Sequence, residues 1–262
     1  MTAPETTPSD LRNTALRALV CLDLTNLEEG CDAADIDALC ASAQTRHGSV
    51  AAVCVWPRFV PQARAALART GIRTATVVNF PAGEATAEAA AAEARAAIAD
   101  GAEEIDMVVP WRALAAGDPD AVREAVREVK AACGGATLKA ILETGELADP
   151  ALIGLAAERA LAGGADFLKT STGKARVNAT PEAAEILMSA IVRHGGSAGF
   201  KAAGGVRTLA DAGTYLALAD RIMGASRAGP KHFRIGASGL IDVLLAVLDG
   251  RPAAGDGGGD GS

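Results

Sequence analysis

The stretch Asp166-Phe167-Leu168-Lys169-Thr170-Ser171 places a lysine inside a short run with the apolar character of a buried strand. Lysine is uncommon in this chain, which has six lysines and nineteen arginines. Arginine stays protonated in proteins, whereas lysine can lose its proton and become a nucleophile. Three lysines lie within predicted strands, namely Lys139, Lys169 and Lys201. We therefore expect each of them to be paired with a carboxylate or chemically active.

Strand-like runs of this kind alternate with alanine-rich helical stretches along the chain. The eight predicted strands cover 19–24, 50–56, 74–79, 104–109, 137–143, 166–171, 199–203 and 233–236. Asp32, Thr180 and Thr208 are suitable helix caps, and a leading helix is predicted over 9–16. Eight strands, each followed by a helix, predict an α/β fold, a (β/α)8 TIM barrel with a short leading N-terminal helix. An open doubly wound sheet is the weaker alternative, because the early strands lack a glycine-rich dinucleotide turn.

Composition limits the classes of function that remain. We expect one barrel domain over 9–250, a disordered N-terminus at 1–8 and a disordered Gly/Asp-rich tail at 251–262. The net charge of −7 and the absence of a basic stripe argue against a nucleic-acid partner. Neither a signal peptide nor an apolar run long enough for a membrane span is present. Five cysteines without paired spacing are typical of a reduced, cytoplasmic protein.

Charged residues share one face of the predicted strands. Successive strand side chains point to opposite faces, and the alternate positions are mostly apolar and suited to packing against helices. The face that points into the barrel carries Asp23, Thr25, Asp106, Lys139, Glu143, Lys169, Ser171 and Lys201. An internal salt-bridge network with a purely structural role is the less favoured interpretation, because burying so many charges is costly.

A second lysine gives a physical reason for reactivity. Lowering a lysine pKa from about 10.4 to about 7 requires roughly 4–5 kcal/mol. An ammonium about 4 Å away supplies on the order of 4 kcal/mol at an effective dielectric of 20. Lys201, on the strand next to Lys169, is therefore sufficient, provided that Asp106 lies too far from Lys169 to reverse the effect. Asp106 would then carry protons. Strand parity alone leaves Lys139, Lys169 and Lys201 as candidate nucleophiles.

Two glycine-containing loops predict a phosphate site. Ala203-Gly204-Gly205-Val206-Arg207-Thr208 and Ile235-Gly236-Ala237-Ser238-Gly239-Leu240 each lead into a helix. Glycines let backbone N–H groups approach an anion, and the loops after strands seven and eight often bind phosphate in such barrels. Turn geometry is the alternative explanation for each glycine pair. Both loops together, with Lys174 nearby, favour a small phosphorylated substrate.

Several stretches between residues 22 and 245 follow one another in an order that is specific to one protein family. They are Asp23-Leu24-Thr25, Val53-Cys54-Val55-Trp56-Pro57-Arg58-Phe59, Glu104-Ile105-Asp106-Met107-Val108-Val109-Pro110, Leu138-Lys139-Ala140-Ile141-Leu142-Glu143-Thr144-Gly145-Glu146-Leu147, the stretch from Asp166 to Lys174, Gly199-Phe200-Lys201 and Phe233-Arg234-Ile235-Gly236-Ala237-Ser238. In these stretches the sequence resembles the class I 2-deoxy-D-ribose-5-phosphate aldolases.

The resemblance implies reversible cleavage of 2-deoxy-D-ribose 5-phosphate to D-glyceraldehyde 3-phosphate and acetaldehyde, in deoxyribonucleoside catabolism. It implies that Lys169 forms the Schiff base, that Lys201 perturbs it and that Asp106 transfers protons. Residues expected at the substrate are Asp23, Thr25, Cys54, Lys139 and Thr172. Residues expected at the phosphate are Lys174, Gly204, Gly205, Val206, Arg207, Gly236, Ser238 and Gly239.

Several of these roles have alternatives. Cys54 is equally well explained as a small buried thiol, and Lys139 with Glu143 as an ion pair that holds the barrel together. No cofactor and no metal are expected, and the wide spacing of His47, His194 and His232 argues against a zinc-dependent aldolase. The sequence leaves the oligomeric state open, and a homodimer is the candidate assembly because barrels of this kind often self-associate. A phosphosugar isomerase or synthase, and a non-catalytic phosphometabolite-binding barrel, are the competing functions.

The sequence also departs from the family pattern. Ala202 stands where many relatives have proline, and Gly239 stands where many have a second serine. The loss of that hydroxyl is expected to weaken phosphate binding without abolishing it. Some relatives end in a tyrosine thought to reach the site, whereas the one tyrosine here, Tyr215, is predicted within a helix.

Overall fold

The computed structural model describes residues 7–251, which form a closed barrel of eight parallel strands surrounded by helices. Ten strands occur in the described chain: β1 (Leu22–Asn26), β2 (Gln44–Thr45), β3 (Gly48–Ser49), β4 (Ala52–Val55), β5 (Arg73–Val78), β6 (Glu104–Val108), β7 (Thr137–Ile141), β8 (Phe167–Lys169), β9 (Gly199–Ala203) and β10 (Phe233–Ala237). The strand order around the barrel is β1-β10-β9-β8-β7-β6-β5-β4, and β2 pairs with β3 in a separate hairpin. The predicted (β/α)8 TIM barrel is confirmed.

Helices follow the strands and cover the outside of the barrel. They are α1 (Pro8–Val20), α2 (Ala33–Ser42), α3 (Val60–Ala66), α4 (Ala87–Ala99), α5 (Trp111–Ala115), α6 (Asp120–Cys133), α7 (Thr144–Leu147), α8 (Pro150–Ala162), α9 (Pro181–Arg193), α10 (Leu209–Ala219) and α11 (Leu240–Leu248). Short 3-10 turns occupy Pro57–Phe59 and Ala225–Arg227, and a π-helical turn occupies Asp220–Gly224. No helix within residues 7–251 is long and apolar enough to cross a membrane.

Local sequence signals explain where the helices begin. Thr7, Asp32 and Thr208 each form a capping box, in which the cap and the third helical residue satisfy each other's backbone N–H groups. Thr180 accepts a hydrogen bond from Ala183 N, and Pro181 occupies the first turn of α9. The caps predicted at Asp32, Thr180 and Thr208 are confirmed.

The N-terminal prediction requires correction. Helix α1 runs from Pro8 to Val20, so Leu19 and Val20 belong to a helix and not to the first strand. Both extend the apolar face of α1, and β1 begins only at Leu22, which pairs with Ile235. The hairpin of β2 and β3 was not predicted, because each strand has only two residues. Residues 1–6 and 252–262 lie outside the described chain, so disorder at the two ends stays a prediction.

The barrel separates two sets of side chains by strand parity. Outward positions predicted to pack against helices do so within one large apolar core: Leu22, Leu24, Ile105, Met107, Leu138, Ala140, Leu168 and Phe200. On the inside, a small apolar cluster, here called the apolar wall, consists of Leu27, Ala52, Cys54, Ala75 and Val77, with Trp56 and Phe80 against it. The other inward positions include five buried charged residues that the sequence predicted, namely Asp23, Asp106, Lys139, Lys169 and Lys201.

Candidate active site

A cleft of about 450 Å³ opens at the carboxyl ends of β1, β8, β9 and β10. Among the predicted site residues, those that line it are Thr25, Lys169, Thr172, Lys174, Gly204, Gly205, Val206, Arg207, Gly236, Ser238 and Gly239. Five others do not line it, namely Asp23, Cys54, Asp106, Lys139 and Lys201, all of which are buried. The fold therefore collects both predicted phosphate loops, Lys169 and Lys174 around one opening.

Lys169 connects this cleft with the buried charges. Its ammonium nitrogen Nζ lies 2.7 Å from Asp106 Oδ2. Lys201 Nζ lies 2.8 Å from the same oxygen and 2.6 Å from Asp23 Oδ2. Lys169 and Lys201 are direct partners in the register of β8 and β9. Two amines thus flank one carboxylate oxygen, and one of them also faces the cleft.

The expectation that Asp106 stands apart from Lys169 was wrong. A carboxylate at hydrogen-bond distance raises a lysine pKa, yet the pKa of Lys169 is lowered overall. Burial is the largest cause and Lys201 adds to it, and together they outweigh Asp106. The proposed effect of the second lysine is present, but removal from water contributes more than the charge of that lysine.

The other two barrel lysines shift in the opposite direction. Burial lowers the pKa of Lys139, but Asp106, Asp23 and Glu104 raise it well above its ordinary value. The pKa of Lys201 is raised as well, because Asp106 and Asp23 outweigh burial. Of the three candidate nucleophiles that parity left open, Lys169 is therefore the one whose pKa is lowered.

Two further charged residues, which were not predicted as site residues, lie among these buried charges. Glu104 Oε2 lies 2.6 Å from Lys139 Nζ, and Arg234 donates hydrogen bonds to both Glu104 and Asp23. Glu104 precedes Asp106 by two residues, and Arg234 pairs with Lys201 in the strand register. The period-two rule could have found both. The charged cluster consists of Asp23, Glu104, Asp106, Lys139, Lys169, Lys201 and Arg234.

Glu143 was expected to share the interior face with Lys139, and this was wrong. Strand β7 ends at Ile141, and Glu143 adopts a left-handed φ of 51° that turns the chain out of the strand. Its carboxylate accepts hydrogen bonds from the Thr172 hydroxyl at 2.6 Å and from the Thr172 backbone N–H at 3.2 Å. Burial raises the pKa of Glu143. The residue therefore supports the loop after β8 instead of the charged cluster.

The glycines of the two loops have different structural reasons. Gly204 and Gly205 have φ values of 82° and 84°, in a backbone region that favours glycine. Gly236 has another role, since a Cβ there would lie 2.8 Å from Lys201 Cε. The absence of a side chain at position 236 thus makes room for Lys201.

The sequence pattern of the DeoC/LacD family aldolases matches residues 17–240. The chain belongs to the DeoC/LacD aldolase family. It is 53% identical over 241 residues to a deoxyribose-phosphate aldolase of Agrobacterium fabrum, covering 91% of this chain and 93% of that protein. The family resemblance inferred from the motifs is thereby confirmed, and the protein is an aldolase, that is, a lyase.

Solved structures agree with this assignment. The crystal structure described as that of a putative deoxyribose-phosphate aldolase from Toxoplasma gondii ME49 superposes with a TM-score of 0.85 at 28% identity, covering 96% of this chain and all of that one. The deoxyribose phosphate aldolase of Aeropyrum pernix gives a TM-score of 0.71 at 28% identity, covering 92% of this chain and 97% of that one.

Two further predicted residues of this aldolase, Asp23 and Thr25, lie on β1. Asp23 is fully buried, and Lys139, Lys201 and Arg234 lower its pKa although burial raises it. Thr25 donates its hydroxyl to the carbonyl oxygen of Asp23 at 2.8 Å and lines the cleft.

Cys54 belongs to the apolar wall and not to the charged cluster. Burial raises the pKa of its thiol to about 11, so the thiol stays protonated at neutral pH. The charges that act on it are Asp106, Lys201, Lys169 and Lys139. Within the described residues, no three His, Cys, Asp or Glu side chains come together in a metal-binding arrangement.

Proposed function

We propose that this aldolase catalyses the reversible cleavage of 2-deoxy-D-ribose 5-phosphate to D-glyceraldehyde 3-phosphate and acetaldehyde through a Schiff base on Lys169, without a metal, in deoxyribonucleoside catabolism. The observation that carries the proposal is a buried lysine with a lowered pKa beneath a cleft bordered by two glycine-containing loops. The substrate is supported by the identity with the Agrobacterium fabrum deoxyribose-phosphate aldolase.

The first half of the reaction uses the neutral amine. Lys169 Nζ adds to the C1 aldehyde of the open-chain sugar, and loss of water leaves a protonated imine. The C2–C3 bond then breaks, its electrons move into the iminium, and the C3 hydroxyl proton is removed. Glyceraldehyde 3-phosphate leaves, and the two remaining carbons stay on Lys169 as an enamine.

The second half restores the enzyme. A proton delivered to C2 of the enamine regenerates the iminium, and water hydrolyses it to acetaldehyde and the free amine. Asp106 and Lys201, with a water, are the proposed proton carriers. Asp106 Oδ2 accepts a hydrogen bond from Lys169 Nζ, and Lys201 Nζ donates to the same oxygen. The carboxylate of Asp106 also stabilises the positive iminium once it has formed.

The phosphate is proposed to bind at the rim of the cleft. Lys174 and Arg207 supply positive charge there, and the chain at 204–205 and 238–239 supplies backbone N–H groups. Thr172, whose oxygen accepts a hydrogen bond from Lys174 N at 3.0 Å, fixes the loop that carries this lysine. Gly239 keeps its N–H group for the anion although it lacks the hydroxyl found in relatives.

Borohydride trapping tests the proposed function. The protein is incubated with 2-deoxyribose 5-phosphate and sodium borohydride, and peptides are mapped by mass spectrometry. We expect a reduced adduct on Lys169, its loss in Lys169→Met, and its retention in Lys130→Met, which removes a lysine paired with Asp166 outside the barrel. An adduct on another lysine, or none, overturns the Schiff-base mechanism.

The homodimer and the cytoplasmic location are proposed as well. Multi-angle light scattering of the full chain is expected to give twice the monomer mass of 26.3 kDa. A monomer at micromolar concentration would contradict the proposed assembly, and it would leave the proposed chemistry unaffected.

A further inference from the structure

The charged cluster continues below Lys169, away from the cleft, and ends at Arg234. The guanidinium of Arg234 donates to Asp23 Oδ1 at 2.6 Å and to the two carboxylate oxygens of Glu104 at 2.8 and 3.1 Å. Its Nε donates to the carbonyl oxygen of Pro230 at 2.5 Å, and the ring of Phe167 lies 5.6 Å from the guanidinium carbon. A planar group with this many fixed partners is held in one orientation.

Arg234 shares each of its two acids with a lysine. Asp23 uses Oδ1 for Arg234 and Oδ2 for Lys201, at 2.6 Å each. Glu104 Oε2 lies 2.6 Å from Lys139. The guanidinium therefore sets the orientation of the carboxylates that hold Lys201 and Lys139.

The cations of the cluster differ in how many carboxylates they contact. Lys139 contacts three, since Asp23, Glu104 and Asp106 lie within 3.3 Å of its nitrogen. Lys201 and Arg234 contact two carboxylates each. Lys169 contacts Asp106 alone among the described residues. Four cations thus share three carboxylates, and Lys169 is the cation with the fewest partners.

We propose that Arg234 is a positioning residue for the aldolase reaction, because its buried charge makes the cations of the cluster outnumber the carboxylates, so that Lys169, the cation with the fewest carboxylate contacts, is the one that gives up its proton. The inference rests on the proposed function, in which uncharged Lys169 is the nucleophile. Arg234 does not line the cleft, so it acts through Asp23 and Glu104 and not on the substrate.

The charge of Arg234 should therefore affect the pKa of Lys169 in a direction that can be predicted. The titratable groups that face Lys169 are Asp106, Lys201, Cys54 and Glu143. Loss of the Arg234 charge leaves the three carboxylates with lysines as their only cations, since Asp23 keeps Lys201 and Lys139 and Glu104 keeps Lys139. The interior becomes more negative, and this raises the pKa of Lys169. The rate then falls at neutral pH and recovers as the pH rises through the new pKa. Loss of the Glu104 charge has the opposite effect on the pKa.

Three variants test this charge balance: Arg234→Met, Glu104→Gln and the double variant R234M/E104Q. The pKa of Lys169 is measured directly from the pH dependence of its acetylation by acetic anhydride, mapped by mass spectrometry, and compared with the pH dependence of kcat. Arg17→Met is the matched control, because it breaks an Arg–carboxylate pair with Asp220 outside the barrel, at 2.6 and 2.8 Å.

The single variants are expected to shift the Lys169 pKa in opposite directions by about one unit each, upwards in R234M and downwards in E104Q. In R234M the rate at neutral pH falls about tenfold, in proportion to the neutral amine. The double variant again has one more cation than carboxylates, so its pKa is expected to return towards that of the natural chain. Arg17→Met is expected to leave it unchanged.

An unchanged Lys169 pKa in a folded R234M, or a double variant as shifted as R234M, overturns the proposal. If R234M does not fold, E104Q and the double variant decide whether Arg234 has the proposed role. The double variant is expected to fold, because a buried pair with both charges removed is tolerated better than a broken one. Acetylation requires no substrate. A natural chain that forms no borohydride adduct therefore overturns the proposed function, whereas missing pKa shifts in a chain that does form the adduct overturn the role of Arg234 alone.

Discussion

The two sides of the barrel interior follow the same strand parity and carry opposite chemistry. On β4 and β5 the inward residues are Ala52, Cys54, Ala75 and Val77, none of which is charged at neutral pH. On β6 to β10 and β1 the inward positions carry the charged cluster. Both sides are buried, so the difference lies in the residue types and not in the fold.

Lys169 differs from the other two barrel lysines in its carboxylate contacts and not in its burial. All three lysines are buried, and burial acts to lower the pKa of each. The apolar wall contains no carboxylate, and among the carboxylates of the described residues Lys169 contacts Asp106 alone. Lys139 contacts three carboxylates, and its pKa is raised. The comparison therefore shows that the lysine with the fewest carboxylate contacts is the one whose pKa is lowered.

Removing the second lysine should have the largest effect on this difference. Lys201→Leu makes the charged side more negative, so the pKa of Lys169 should rise by about two units or more. The rate of cleavage at neutral pH is expected to fall on the order of 100-fold and to recover at alkaline pH. The measurement is the pH–rate profile, with Lys130→Leu as a lysine control outside the barrel. An unchanged profile would contradict the role of Lys201.

A smaller effect is expected where the backbone makes room for that lysine. In Gly236→Ala the new Cβ would lie 2.8 Å from Lys201 Cε, so the Lys201 side chain must shift from its position beside Asp23 and Asp106. We expect kcat to fall about tenfold and the free energy of unfolding to fall by about 1–3 kcal/mol, as is usual for overpacking. Steady-state kinetics measures kcat, and urea unfolding measures the free energy of unfolding. Gly135→Ala is the control, since its Cβ would meet no atom within 4 Å.

The smallest effect is expected on the apolar wall. Cys54→Ala keeps that wall uncharged, and the thiol of Cys54, with a pKa raised to about 11, carries no charge at neutral pH. We expect kcat and KM to change less than about threefold and the unfolding free energy to fall by about 1 kcal/mol. A much larger rise in KM would instead support the substrate contact that the family resemblance implies for Cys54.

Much of this arrangement could be predicted from the chain. Alternation along each strand predicted that Asp23, Asp106, Lys139, Lys169 and Lys201 share the interior, and the family motifs selected Lys169 among the lysines. The same rule could have added Glu104 and Arg234. It failed for Glu143, because a periodicity does not show where a strand ends and the backbone turns into the left-handed region.

The sequence by itself determined the barrel, the inward face of each strand and the two glycine-containing loops, because hydrophobic periodicity and helix caps act over a few neighbouring residues. Only the tertiary structure decided which charges touch. The distances from Lys169 and Lys201 to one oxygen of Asp106 depend on barrel closure, register and side-chain conformation. A pKa depends on burial and on distances to all neighbouring charges, and residues far apart in the chain, such as Asp23 and Arg234, set those distances.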